Sequence, residues 1–246
     1  MKIEARGISK RFGGLQALDQ VSLAASSGEV TAVIGPNGAG KSTLLDCLSG
    51  ITAMDSGELV IDGKSYTKFA PESLVRMGLT RTFQHIRLSA SLTAEEHVVL
   101  ARMGYARSGR CRSRESYRVM RNHARGLLQQ VGLERKEGFL PSELSYGERR
   151  RLEIARGLAT EPYLILLDEP AAGATPSEQG TLADTIQQIA MSGAAVILVE
   201  HHIDLVARVS KQVLVLNFGQ ELVTGPIQEI RKNPAVILAY LGIAAQ

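Results

Sequence analysis

Residues 35 to 43 read Gly-Pro-Asn-Gly-Ala-Gly-Lys-Ser-Thr, set between the unbroken apolar run Val30 to Ile34 and a helical pattern that begins at Thr43. Such a segment leaves few folds open, because a strand must pass into a helix through a turn that favours glycine. Gly35, Gly38 and Gly40 can take positive φ without a Cβ clash, so consecutive backbone N–H groups turn inward around a concave anion site. The helix that follows points the positive end of its dipole at the same place. Lys41 can then reach the β- and γ-phosphates of a nucleoside triphosphate, and the Ser42 hydroxyl sits where it can ligate Mg²⁺. Pro36, Asn37, Ala39 and Thr43 complete the expected binding loop. Two other readings stand beside this one. A glycine-rich turn can arise by accident, and Gly38-Ala39-Gly40 matches the start of a dinucleotide fingerprint. The latter fits less well, since Thr43 stands where the third glycine belongs.

A site that hydrolyses a triphosphate also needs a second Mg²⁺ anchor, a group that positions water and a sensor of the γ-phosphate. Tyr163 to Leu167 is a continuous apolar run, as expected of a parallel strand buried on both faces, and it ends in Asp168-Glu169-Pro170. Asp168 suits the metal. Glu169, on the opposite side of the strand, suits the orientation or deprotonation of water. A solvated acidic turn is the alternative. A third run, Ala194 to Val199, ends in Glu200-His201-His202, and one of these imidazoles is placed to reach the γ-phosphate. Histidines at such an edge can equally be structural or exposed.

Around these runs the chain reads as two lobes. Ile3 to Ile8, Val21 to Ala24 and Leu59 to Ile61 are short strands punctuated by Gly13-Gly14, Gly28 and Gly57. The middle is helical: Thr93-Ala-Glu-Glu96 has the form of a capping box opening a helix through Met103, and Ser116 to Val131 gives a second. Strands that alternate with helices argue a parallel, helix-flanked core, with residues 93 to about 160 as a mainly helical insert between 1–92 and 161–246. Val213 to Leu216 and Glu221 to Val223 finish the sheet. Met1-Lys-Ile-Glu-Ala-Arg6 lacks the apolar core of a signal peptide, and no apolar run approaches the ~20 residues of a membrane span, so a cytosolic chain is expected. Cys47 and Cys111 suggest neither a disulfide framework nor a metal site.

The net charge of +3 is too mild to argue for nucleic acid. Its distribution is uneven: Arg102, Arg107, Arg110, Arg112, Arg114, Arg118, Arg121 and Arg125 cluster, with Glu115 opposing them. These arginines read as the polar face of a helix whose apolar face is Met120, Ala124, Leu127, Leu128 and Val131. Contact with an anionic membrane surface or an acidic partner segment is the other reading.

Leu144-Ser145-Tyr146-Gly147-Glu148, followed by Arg149 to Arg156, resembles the signature motif of ABC-type ATPases, usually Leu-Ser-Gly-Gly-Gln. That resemblance implies a P-loop NTPase fold of the α/β class: a RecA-like core, a β-rich nucleotide-binding subdomain and an inserted helical signature subdomain. It implies that Ser145 and Gly147 bind the γ-phosphate held by a second ATPase domain. It makes Gln84 similar to the family's Mg²⁺- or water-contacting glutamine and Phe12 similar to its adenine-stacking aromatic, although Phe12 by itself reads as core. His201 matches the switch histidine better than His202.

Arg81-Thr-Phe-Gln-His85, the arginine-rich insert, Pro170-Ala-Ala-Gly173 and the tail from Asn233 to Gly242 are similar to the ATPase subunits of branched-chain amino acid importers. Importers of urea or amides and lipopolysaccharide-export ATPases are related branches. An importer implies ATP and Mg²⁺ as ligands, a homodimer or heterodimer of ATPases, two membrane-spanning permease subunits and an external solute-binding protein. It also implies a peripheral place on the cytoplasmic face of the membrane and no nucleic acid. Several positions depart from the pattern: Tyr146 replaces a glycine, Glu148 a glutamine, Ala174 a leucine and Thr175 an aspartate. These changes bear on the rate and symmetry of hydrolysis more than on nucleotide binding. A non-transport ABC ATPase acting on DNA or ribosomes, and a regulatory module that binds without turnover, are the other classes.

Overall fold

In the computed structural model, which describes residues 2–84, 86–107 and 116–241, alternating sequence builds one sheet and continuous apolar sequence builds the other. The strands β1 (Lys2–Phe12) and β2 (Leu15–Ser26) pair antiparallel through the Gly13-Gly14 turn. Ile3, Ala5 and Ile8 point inward while Lys2, Arg6 and Arg11 face out or to the edge. With β4 (Ser56–Ile61) and β5 (Lys64–Tyr66) they form a four-stranded sheet in the order β2-β1-β4-β5. Both leading strands are longer than the short apolar stretches expected, because their polar ends still find ladder partners.

The second sheet contains β3 (Val30–Ile34), β6 (Leu79–Arg81), β7 (Leu164–Asp168), β8 (Ala195–Val199), β9 (Gln212–Asn217) and β10 (Gln220–Gly225), in the order β10-β9-β3-β8-β7-β6. All neighbours run parallel except the β9–β10 hairpin. Every residue of β3, β7 and β8 is buried, which is why these segments read as unbroken apolar runs. In β7, Leu164 and Leu166 face one cluster and Ile165 and Leu167 the other.

Among the described residues, three apolar clusters hold the molecule. The helix α1 (Lys41–Leu48) lies between the sheets, with Leu44 and Leu48 packed against Ile8, Leu59 and Val33. The helices α2 (Pro71–Met77), α3 (Ala94–Arg107), α4 (Tyr117–Gln130), α5 (Tyr146–Leu158) and α6 (Pro176–Met191) follow in chain order. Val98, Leu128 and Leu152 from α3, α4 and α5 share one cluster with Ile186 of α6 and Ile165 of β7, so those helices pack continuously onto the central sheet. The helices α7 (Ile203–Val209), α8 (Ile227–Ile230) and α9 (Pro234–Leu241) cover Ala32, Ile34 and Val213. No described helix is long and apolar enough to cross a membrane.

The capping box at Thr93 forms, with Thr93 N–H donating to Glu96 Oε2 at 2.7 Å and Glu96 N–H to Thr93 Oγ1 at 3.3 Å. The helix it opens runs past Met103. Of the arginine cluster, Arg121 and Arg125 pair with Glu95 at 2.8 and 3.1 Å, and Arg102 is buried against Glu161 at 2.8 Å. Arg102 is therefore not part of a solvated helical face. Cys111, Arg110, Arg112, Arg114, Glu115, His85 and Gly242 lie outside the described residues, as does the side chain of Arg107.

Candidate active site

The glycine turn closes as a cradle for physical reasons that differ from glycine to glycine. A Cβ on Gly35 would lie 2.2 Å from the Leu216 carbonyl oxygen, and one on Gly40 2.6 Å from that of Ala17, so close backbone approach demands glycine at both. Gly38 meets nothing within 4 Å; its φ of 80° is the constraint. Gly40, with φ of 101°, caps α1, and Leu44 N–H donates to its carbonyl at 2.9 Å. Lys41 opens that helix and is only 7% exposed. Its Nζ donates to the carbonyls of Gly35 at 2.7 Å and Pro36 at 3.0 Å. Burial pushes its pKa below the ordinary lysine value, while the charges of Glu169 and Asp168 pull it back up.

A cavity of about 490 Å³ opens over this cradle. Asn37 to Thr43, Gln84, Glu169 and Phe12 all line it, so residues from four separate stretches of chain converge. Phe12 is 49% exposed and beside the loop, which corrects its reading as a core residue.

Asp168 ends β7 opposite Val199 and is almost fully buried. Its backbone N–H donates to Thr82 Oγ1 at 3.3 Å, and its Oδ2 accepts from Arg81 Nη2 at 2.9 Å. The other guanidinium nitrogen, Nη1, donates to Asp46 Oδ1 at 2.6 Å and Ser49 Oγ at 2.8 Å. Arg81 thus ties the end of β7 to α1, a link that sequence reasoning missed. Glu169 sits one residue on, at a φ of 45° that costs a non-glycine residue about 1 kcal/mol. Its N–H donates to Val199 O at 2.9 Å, and its Oε2 accepts from Gln84 Nε2 at 3.2 Å. The strained turn faces the carboxylate toward Gln84 and the cavity.

At the end of β8, Glu200 is fully buried. Its Oε1 accepts the backbone N–H groups of His201 and His202 at 2.9 and 3.2 Å, and its Oε2 accepts that of Ala171 at 3.2 Å. His202 Nδ1 lies 2.8 Å from the same carboxylate, and the half-exposed His201 3.3 Å from it. Among the described residues, neither imidazole lines the cavity over the loop.

The signature segment forms the start of α5. Leu144 is buried and anchors it, Ser145 is the N-cap, and Ser145 Oγ accepts from Glu148 N–H at 3.2 Å. Glu148 does not offer a bare carboxylate. Its Oε2 accepts from Ser145 N–H at 2.9 Å and its Oε1 pairs with Lys136. Against the desolvation that raises it, these partners hold its pKa below the ordinary glutamate value. A Cβ on Gly147 would lie 2.6 Å from Glu178 Oε1, so the glycine lets α6 approach. None of Leu144 to Glu148 lines the cavity over the loop.

The donor set fits a nucleotide with a hard cation. Backbone N–H groups and a lysine suit phosphates, while a hydroxyl, an amide oxygen and a carboxylate from Ser42, Gln84 and Asp168 suit Mg²⁺. Known proteins point to the nucleotide as well. The family model for the ABC transporter matches residues 18–172. The high-affinity branched-chain amino acid transport ATP-binding proteins LivG of Salmonella typhimurium and BraF of Pseudomonas aeruginosa are each 36% identical, over 98% of this chain and 98% of theirs. The ADP conformation of an ATP-binding cassette of an ABC transporter superposes with a TM-score of 0.87 at 29% identity, over 98% of this chain and 99% of that one. A dimeric ATP-binding cassette bound to ADP and phosphate superposes at 0.80 with 26% identity, over 92% and 98%. The chain belongs to the ABC transporter family, as an ATPase cassette.

Proposed function

We propose that this chain hydrolyses ATP to energise the import of branched-chain amino acids, as one of a pair of ATPase domains bound to two membrane-spanning permease subunits. The observation that carries the reading is an asymmetry. Phe12, the glycine loop, Gln84 and Glu169 share one cavity, whereas Ser145 and Gly147 lie off it. A site so divided is completed when the signature of a second cassette, the same chain or a relative of it, faces the loop.

In this mechanism Phe12 stacks on adenine, and Lys41 with the loop N–H groups neutralises charge that grows on the transferring phosphoryl group. Ser42, Gln84 and Asp168 would hold Mg²⁺, which when bound would shield the phosphate oxygens. Glu169 orients the attacking water and accepts its proton. Gln84, hydrogen-bonded to Glu169, holds that carboxylate in place, and His201, which lies off the cavity in the single chain, steadies the γ-phosphate once the pair has closed. The partner's Ser145 hydroxyl and Gly147 backbone donate to the same phosphate. ATP binds the closed pair better than the open one, and the permease responds to that shift. The cassette then sits on the cytoplasmic face of the membrane, dependent through the permease on an external solute-binding protein, with no role for nucleic acid.

Glu169→Gln tests the chemistry. The variant should bind ATP, lose hydrolysis by 10²-fold or more, on the order of a general base's contribution, and accumulate as a dimer in size-exclusion chromatography. Turnover at the parental rate would refute the assignment. For cargo, the permease complex reconstituted with binding protein should show ATPase stimulation by leucine, isoleucine or valine. Stimulation by urea or amides alone would redirect the reading to a related branch.

A further inference from the structure

Tyr146 stands where the family pattern has glycine, and its side chain is engaged with its own chain. Its hydroxyl oxygen accepts from Arg150 Nη2 at 3.1 Å, one turn along α5. Arg150 is 4% exposed and directs its guanidinium at the backbone that carries Gln84: Nη1 donates to Phe83 O at 2.5 Å, and Nη2 also donates to Gln84 O. The same stretch is gripped twice more from α5. Arg87 N–H donates to the buried Glu153 Oε1 at 2.9 Å, and Arg156 Nη1 to Arg87 O at 2.6 Å. Glu153 in turn lies 3.3 Å from Arg150 Nη1. At the opposite end, the Tyr146 ring lies against Gly173, where a Cβ would be 3.7 Å from Cε1. Gly173 is four residues beyond Glu169, and Glu169 accepts from Gln84.

The contacts close a circuit: Glu169 to Gln84, Gln84 to Arg150, Arg150 to Tyr146, and Tyr146 to the loop that returns to Glu169. We propose that Tyr146 is a positioning residue for Gln84, acting through Arg150, so that the signature turn and the water-orienting pair Gln84–Glu169 move as one unit. Arg150 Nη1 serves Phe83 O and Glu153 Oε2, whereas Nη2 has Gln84 O and the tyrosine oxygen, so Tyr146 is the acceptor that fixes from α5 the nitrogen bonded to Gln84. Glycine at 146 offers no such acceptor. The substitution then compensates for what it removes from the signature's slim backbone by coupling that signature to its own catalytic carboxylate.

The inference rests on the hydrolytic role of Gln84 and Glu169 proposed above, and a double-mutant cycle separates the two. Tyr146→Phe removes one oxygen and keeps the ring at a 41% exposed position, so folding is preserved and the melting temperature should stay within about 2 °C. In the full chain, or in the permease complex, Y146F should lower kcat about tenfold, the loss of one hydrogen bond to a charged partner, with KM for ATP changed less than twofold. Q84A should lower kcat further, and Y146F/Q84A should match Q84A alone, because the tyrosine acts through the glutamine. Arg150→Lys, which keeps charge but loses the planar fork that also holds Phe83 O and Gln84 O, should lower kcat at least as much as Y146F. Multiplicative effects in the double variant, or Y146F at the parental rate while Q84A is impaired, would overturn this inference alone. Q84A at the parental rate would overturn it together with the assigned role of Gln84.

Discussion

Arg81 places its guanidinium between two carboxylates from different elements, Asp46 of α1 and Asp168 at the end of β7, with 7% of its side chain exposed. Removing it would leave the buried Asp168 without its ion-pair partner, and breaking a buried pair from one side costs about 3–5 kcal/mol. Arg81→Met is therefore expected to lower the stability measured by urea unfolding by that amount, with the m-value unchanged. Arg81→Lys should lose less, since one ammonium can keep one of the two carboxylates. The same residue shows where sequence reading stops. Lys41, Ser42 and the glycines are legible because their geometry is fixed by neighbours in the chain. Asp168 is legible as the polar end of an apolar run. Arg81 is 87 residues from Asp168 and 35 from Asp46, and no local pattern connects them. The clustered arginines divide the same way: Arg118, Arg121 and Arg125 lie on α4 away from its buried Met120, Ala124 and Leu128, as the spacing indicates, but Arg121 pairs with Glu95, 26 residues upstream, which no local pattern shows.

At the scale of elements, the start of α6 explains a departure that sequence alone leaves open. Thr175, where the family pattern has aspartate, is the N-cap: its Oγ1 accepts from Glu178 N–H at 3.3 Å, and Glu178 Oε2 accepts from Thr175 N–H at 2.9 Å. Both threonine and aspartate satisfy that role. Thr175→Ala should cost about 1 kcal/mol in chemical denaturation and Thr175→Asp close to nothing, so the threonine alters the charge of the surface without weakening the helix. Elements were legible where burial is symmetrical or periodicity strong. β3, β7 and β8 announce themselves as apolar runs, and the helix from Thr93 by its capping box. β6 is three residues long and carries Arg81 at its end, too short for any period to show. It exists because Leu79 to Arg81 register against Leu164 to Leu166 of β7, a tertiary fact. The site was legible in its phosphate cradle and carboxylates, and illegible in the arginines that hold them.

Across the whole molecule, acid should act first on the segment that follows Gln84. His97 is 3% exposed, its Nε2 accepts Ser89 N–H at 2.9 Å and its Nδ1 lies 2.9 Å from Thr93 O. An acceptor Nε2 fixes the neutral tautomer with the proton on Nδ1, donating to Thr93 O. Burial accordingly pushes its pKa below the ordinary value of 6.5. Below 6.5 the unfolded chain then binds a proton that the folded chain refuses, so stability falls as pH drops through this window. A second fall comes from carboxylates held low. Glu95 is held by hydrogen bonds from Arg121; Glu148 and Glu161 are lowered in spite of desolvation, by Lys136 and by Tyr105 and Arg102. Their stabilisation is complete above the unfolded value of 4.5 and disappears as pH falls through their depressed folded values. Glu153, raised by desolvation, works in the opposite sense: from its raised value down to 4.5, the folded chain takes up the proton first and gains stability. Urea midpoints measured from pH 7.5 to 4 should therefore begin to decline near 6.5 and steepen below 4.5. In His97→Gln, which has no imidazole to charge, the decline between 6.5 and 5 should vanish while the lower one remains. An unchanged profile in that variant would mean that protonation of His97 does not set the first step.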